Sequence, residues 1–235
     1  MAGPPGGPIS PDEDTLLLAH FDGGANADHA AGLALAAGDG EIVKEGRFGG
    51  ALVLGEGKSV RFSGPENFLG ESGTVEFWLR PGSDWVPGET RGILGIRSGE
   101  RDYLNLNQLA NGRFGVAICS SEAGSTNFVY RRVDARDANL RAGEWRHVAA
   151  CWGGGELSFW LDGQKVASRD GAVGPRGTPE EITLNGSGHA IDEFCISRIA
   201  RYSDAGRATG KAVVPRARLS PGWKFNEPEG VYRGA

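Results

Sequence analysis

Between Gly143 and Val166 the chain alternates apolar and polar positions with the two-residue period of a β-strand. Leu157, Phe159 and Leu161 fall on one face of the run, and Ser158, Trp160 and Asp162 on the other. Gly153-Gly154-Gly155 separates it from Trp145–Trp152, which is apolar on both faces, and Asp162-Gly163 separates it from a third run that begins at Gln164. The stretch predicts the middle of an antiparallel sheet. Thr74–Arg80 repeats the alternation, with Val75, Phe77 and Leu79 opposite Glu76, Trp78 and Arg80, and Pro81 stops it. Thr15–Phe21 is apolar on both faces around Leu16-Leu17-Leu18, as expected of a strand inside a sandwich. Shorter runs read as strands at Leu33–Leu35, Glu41–Val43, Ala51–Leu54, Ser59–Phe62, Ile93–Arg97, Tyr103–Gln108, Phe114–Cys119, Phe128–Val133, Ile182–Leu184 and Ile191–Ile196. Only Arg201–Gly210 has the makings of a helical turn. The pattern predicts an all-β, two-sheet antiparallel sandwich of the jelly-roll kind.

The ends do not share this pattern. Residues 1–13 are rich in Pro and Gly and predict an extended N-terminal arm. Residues 14–202 hold the strand pattern and predict one domain. Residues 203–235 cannot form a core of their own and predict an irregular C-terminal arm, pinned to the sandwich by Trp223 with Phe225 nearby. Composition adds little to this division: 39 glycines in 235 residues suit many tight turns. A net charge of −5 gives no reason to expect a nucleic-acid partner, and no apolar run is long enough to predict a membrane span. The first residues lack the basic and apolar regions of a secretory signal. Cys119, Cys151 and Cys195 lie in apolar strand patterns without metal-site spacing, so the expectation is three buried thiols, with one disulfide as the alternative.

Four segments carry a resemblance. The motif W-x-H-V-A at Trp145–Ala149, followed by L-x-F-W-x-D-G at Leu157–Gly163, is similar to the laminin-G-like jelly roll of the concanavalin A-like lectin/glucanase superfamily. Gly46–Leu54 (GRFGGALVL), Gly73–Pro81 (GTVEFWLRP) and Ile191–Tyr202 (IDEFCISRIARY) resemble its early, middle and closing strands, in the same order. The resemblance implies a concanavalin A-like sandwich over most of the chain. It implies much less about function, because this fold hosts lectins, adhesins, enzyme accessory modules and structural parts.

Two sites follow from the resemblance and the strand faces. Related jelly rolls hold a structural calcium where the first and last strands meet. The matching residues are Asp22 and Asp192, with a carbonyl such as that of Gly24 and a side chain such as Asp28 completing an oxygen shell. A glycan surface needs aromatic faces beside polar groups. Trp78 and Trp160 fall on outward strand faces, while Trp85 and Tyr103 lie on or beside loops; Trp85, in the Gly82–Arg91 loop, is the best exposed candidate. Catalytic residues are not expected. The E-x-D-x-x-E strand motif of related glycoside hydrolases is absent, and Asp192 and Glu193, being adjacent, should point to opposite faces.

These expectations rank three functions. The first is a non-catalytic module that binds a glycan or surface polysaccharide, placed at the extracellular surface or on a virion. The second is a structural component of a phage or bacterial surface assembly, its arms contacting protein partners or further copies in a homo-oligomer. The third is a polysaccharide-cleaving enzyme.

Overall fold

A computed structural model describes residues 6–136 and 138–203, together with the backbone of 206–207 and 231–232. Trp223, the expected pin of the C-terminal arm, and Phe225 lie outside the described residues. Nineteen strands and no helix occur among the described residues, so no helix there is long and apolar enough to cross a membrane. In chain order the strands are β1 (Thr15–Ala19), β2 (His29–Ala30), β3 (Ala36–Gly38), β4 (Glu41–Val43), β5 (Ala51–Leu54), β6 (Ser59–Ser63), β7 (Gly73–Pro81), β8 (Arg91–Gly99), β9 (Asp102–Gln108) and β10 (Phe114–Ser121). They continue as β11 (Phe128–Ala135), β12 (Arg146–Gly153), β13 (Glu156–Leu161), β14 (Gln164–Asp170), β15 (Glu181–Asn185), β16 (His189–Ser197), β17 (Tyr202–Ser203), β18 (Gly206–Arg207) and β19 (Val231–Tyr232).

Two antiparallel sheets stack face to face. The first runs β14-β13-β12-β7-β16-β1-β2, with β5 and then β4 continuing from β16. The second runs β19-β11-β10-β9-β8-β15-β6-β3. The jelly-roll sandwich expected from the alternation is therefore the observed fold. The inward residues of β7 and β13, Val75, Phe77, Leu79, Leu157, Phe159 and Leu161, meet Leu104, Leu106, Val116 and Ile118 of the opposite sheet in one core. Phe114 packs edge-on against Phe159 at 5.3 Å between ring centroids, and Phe62 stacks on Phe194 at 5.8 Å, so aromatic pairs bridge the sheets at two points.

The outward face of the first sheet is also covered. Ile9 packs on Leu18 and Cys195. Tyr202 packs on Ala149, Cys151 and Trp160. The two covering segments are tied to each other by Arg201, which is 1% exposed and forms a bidentate pair with Asp12. All three cysteines are buried thiols, and burial pushes the Cys151 thiol up to about 11.

Several local expectations change. The strand read at Leu33–Leu35 is an exposed loop, and the strand falls three residues later, at Ala36–Gly38, where it pairs with Val60–Phe62. The helical turn read from Arg201 onward begins instead as a ribbon of β17 and β18. Asp192 and Glu193 do not oppose each other. Glu193 takes a left-handed φ of 54° and forms a bulge where the register of β16 against β7 shifts. The inserted residue puts both carboxylates on the outward face, while Ile191 and Phe194 stay in the core.

Candidate functional site

Alternation gives the second sheet an outward face of different character from its core. Strand β9 reads Leu-Asn-Leu-Asn from Leu104, so Leu104 and Leu106 enter the core and Asn105 and Asn107 face out. The cross-strand registers set out the rest of that face. Arg132, Ala117, Asn105, Gly95, Thr183 and Arg61 form one row. Tyr130, Cys119, Tyr103 and Arg97 form the next. Gly95 and Ala117 have almost no side chain, so the middle of the face is low and its rims are polar.

The low point is a depression of about 360 Å³ lined by Gly95, Arg97, Asn105, Thr183, Asn185 and the Glu180–Glu181 pair. A Cβ added to Gly95 would lie 3.6 Å from Asn105 Oδ1 and 3.7 Å from Asn185 Nδ2. An amide acceptor and an amide donor thus converge over one open floor. Tyr103 is half-buried beside it, with the Arg97 guanidinium 4.9 Å from its ring centroid. At the far end Arg132 donates from Nη1 to Asn107 Oδ1 (2.7 Å) and pairs with Asp134 at 2.6 Å. Such a surface offers paired donors and acceptors and an aromatic face, the groups that hold sugar hydroxyls and the apolar face of a sugar ring.

A second feature sits at the opposite side of the sandwich. Asp192 Oδ2 accepts from the Arg47 and Phe48 amides (2.6 and 2.9 Å), and Asp22 Oδ1 accepts from the Gly50 amide (2.7 Å). The Gly46–Gly50 turn is therefore held by both carboxylates. Gly49 holds φ at 109°, and a Cβ there would come within 2.2 Å of Asp22 Oδ1, so the turn can approach Asp22 only as glycine. Asp192 Oδ1 is buried without a hydrogen-bond partner. Burial pushes the Asp192 carboxyl up, the nearby charge of Asp22 adds to this, and the amides of Phe48 and Arg47 oppose it. Next to it, Glu193 accepts from the Ile9 amide at 2.6 Å and contacts His20 Nδ1 at 2.8 Å.

The expected site residues fare differently. Trp78 is 4% exposed beneath Phe48 and the Arg47 guanidinium, and Trp160 is 2% exposed beneath Tyr202. Both face outward as read from alternation, but other segments cover them, so neither can stack on a sugar in this conformation. Trp85 does not stand free on its loop: it is half-buried, edge-on to Phe114 at 5.4 Å and 6.2 Å from His189. Tyr103 alone of the four lies beside the polar depression. Asp22 and Asp192 come together, whereas Asp28 is engaged separately, accepting from the His20 amide at 2.8 Å. Gly24 is half-buried in the turn after Asp22. Among the described residues no three His, Cys, Asp or Glu side chains group as a metal shell, so a calcium there would take most of its oxygens from main-chain carbonyls. The unsatisfied Asp192 Oδ1 beside a second carboxylate fits such an ion.

The residues missed at first are Gly95, Asn105, Asn107, Thr183 and Asn185. A signal existed for two of them, because asparagine is depleted in strands and β9 carries it at alternate positions.

Residues 54–200 match the family model of the concanavalin A-like lectin/glucanases superfamily, and the chain belongs to that family. Among solved structures, the receptor binding domain of botulinum neurotoxin mosaic serotype C/D is similar with a TM-score of 0.62 and 14% identity, over 80% of this chain and 48% of that one. A botulinum neurotoxin type C structure, reported with cell entry dependent on interaction with two ganglioside molecules, gives 0.60 and 14%, over 80% and 48%. Domain 4 of AbnA, a GH43 extracellular arabinanase from Geobacillus stearothermophilus, in complex with arabinotriose, gives 0.57 and 17%, over 80% of this chain and 95% of that domain. The chain thus spans about half the length of the toxin chains and nearly all of the arabinanase domain. No curated protein matches it in sequence.

Proposed function

We propose that this protein is a non-catalytic glycan-binding module that holds a sugar chain along the outward face of the second sheet. The observation that carries this reading is the convergence of Asn105 Oδ1 and Asn185 Nδ2 over the bare floor at Gly95, with Tyr103 alongside. The glycan ligands named for the structural neighbours support the same class of ligand. A module of this kind acts where polysaccharide is displayed, at a cell surface or on a particle that meets one. The alternative role in an assembly draws less support from the N-terminal arm, because Ile9 is spent on the fold of its own chain.

The test is a polysaccharide array followed by titration calorimetry on the ligand it selects. Tyr103→Ala removes the aromatic face and is expected to weaken binding by roughly tenfold, the loss of about 1.4 kcal/mol of ring contact. Gly95→Tyr fills the floor and is expected to abolish binding while leaving the melting temperature unchanged, since a Cβ there meets its nearest neighbours only at ordinary contact distance and the ring extends outward from the sheet. A ligand bound equally well by Gly95→Tyr would place the site elsewhere.

We also propose a structural calcium between Asp22 and Asp192. Asp22 and Asp192 would supply its carboxylates and neighbouring carbonyls the rest. The ion's charge would satisfy Asp192 Oδ1 and relieve the repulsion between the two aspartates. Calcium at about a hundredfold over its dissociation constant should then stabilise the fold by roughly 2.7 kcal/mol. Thermal melts with calcium and with chelator measure this. Asp22→Asn should remove most of the difference, and identical melts in the wild-type protein would end the idea.

A further inference from the structure

Where the two sheets meet at one edge, between β11 and β14, a groove of about 700 Å³ opens. Five arginines line it, Arg113, Arg132, Arg136, Arg146 and Arg169, against only two aspartates. Both acids are already engaged: Asp134 pairs with Arg132 and Asp162 with Arg146. Arg113, Arg136 and Arg169 are exposed and have no ion-pair partner among the described residues. This concentration of cations stands on a chain whose net charge is −5, so it does not follow from composition.

The groove borders the outward face of the second sheet, on which the polar depression lies three strands further in. Arg132 joins the two surfaces: it lines the groove, and its Nη1 donates to Asn107 on the outward face of β9. The groove also exposes a strand edge. Strand β11 pairs with β10 along its length but with β19 only at Phe128 and Val129, so from Arg132 to Ala135 its other edge has no strand partner among the described residues. At one end Arg131 spans the gap by donating to the Asp170 carbonyl at 3.0 Å, which holds the two sheet edges together.

We propose that the groove is an anion subsite continuous with the glycan face, and that the ligand is an acidic polysaccharide carrying carboxylate or sulfate groups. The inference rests on the glycan reading above. The neutral hydroxyls of the chain lie over Asn105 and Asn185, and its acidic substituents reach Arg113, Arg136 and Arg169. Planar guanidinium groups suit this task, because each presents paired N–H donors to a carboxylate or a sulfate.

The test uses the full chain and four probes: polygalacturonate, its methyl ester, dextran sulfate and inorganic polyphosphate. The wild-type protein should bind polygalacturonate at least ~10-fold more tightly than the ester, with a preference that shrinks as salt is raised. The variant Arg113→Gln/Arg136→Gln/Arg169→Gln should lose that preference while binding the ester as before and melting at the same temperature. Binding of dextran sulfate that falls in parallel extends the subsite to sulfate; binding of polygalacturonate alone restricts it to carboxylate, and either supports the proposal. An acidic preference that survives in the triple variant, or no preference in the wild type, overturns it and leaves the glycan reading to the Gly95→Tyr experiment. Polyphosphate bound as tightly as the acidic glycans, and indifferent to Gly95→Tyr, would assign the groove to a non-sugar anion and overturn the proposal.

Discussion

Trp152→Ala is expected to lower the unfolding free energy by about 3–5 kcal/mol, the largest single loss available in this core. Trp152 is the penultimate residue of β12 and is 1% exposed. Its ring stacks on Phe68 at 5.5 Å, and its Nε1 donates to the Gly70 carbonyl at 3.0 Å. Two glycines make room for it: a Cβ on Gly73 would lie 2.5 Å from its ring, and one on Gly174 would lie 3.0 Å from it. The backbone is thus fitted to this indole from two sides and cannot collapse into the space an alanine leaves. Trp152→Phe should recover part of the loss, since it restores ring area without the hydrogen bond to Gly70. Urea unfolding followed by two probes measures both variants. A loss below about 1 kcal/mol for the alanine variant would mean that the loops around Gly70 and Gly174 close over the gap.

The same residue shows what the sequence conveys and what it withholds. The run ending at Trp152 was legible as a strand, and the inward faces of β7 and β13 were assigned residue by residue, because one face buried and one face polar imposes a strict period of two. The period identifies a face but not its neighbours. It placed Trp78 and Trp160 outward correctly, yet Phe48 and Tyr202, which cover them, come from 30 residues upstream and 42 downstream. It failed at Asp192-Glu193, where one left-handed residue shifts the register and turns two opposed carboxylates into neighbours. Glycine usually marks such a position, and glutamate gives no warning. It failed again at Leu33–Leu35, where a stretch rich in Ala and Gly has apolar residues that stay exposed and outside the ladder. The polar face around Gly95 was partly legible in the alternating asparagines of β9. The groove was not, since its arginines come from the β10 side, from β11 and the turn after it, from β12 and from β14 and meet only at a sheet edge.

The contact between the two covering segments should be worth about 3 kcal/mol, close to what is lost when one partner of a buried ion pair is removed. Arg201 is almost wholly enclosed, donating to Ser197 Oγ and Thr15 Oγ1 as well as to both oxygens of Asp12, at 2.7 Å from Nη1. Asp12→Ala leaves that guanidinium without a counter-charge, and the strap from Ile199 to Ser203 must then loosen or hold an unpaired cation out of water. Loosening would expose Tyr202, whose hydroxyl donates to Glu76 Oε2 at 2.6 Å, so the variant should also uncover Trp160 and raise its accessibility to a fluorescence quencher. The acid response has a defined sign. The Arg201 hydrogen bonds hold the Asp12 carboxyl well below the ordinary carboxylate range, against the opposing effect of its burial. A carboxyl depressed in the folded state binds its proton later than it does in the unfolded chain, so its stabilisation is complete above the unfolded value near ~4 and declines as the pH drops below it. The wild-type protein should therefore lose stability more steeply than Asp12→Asn below about pH 4. Acid unfolding curves of the two proteins test this directly. Parallel curves, or an Asp12→Ala variant within about 0.5 kcal/mol of wild type, would show that the Ser197 and Thr15 hydroxyls suffice to hold Arg201 and that the strap does not depend on the ion pair.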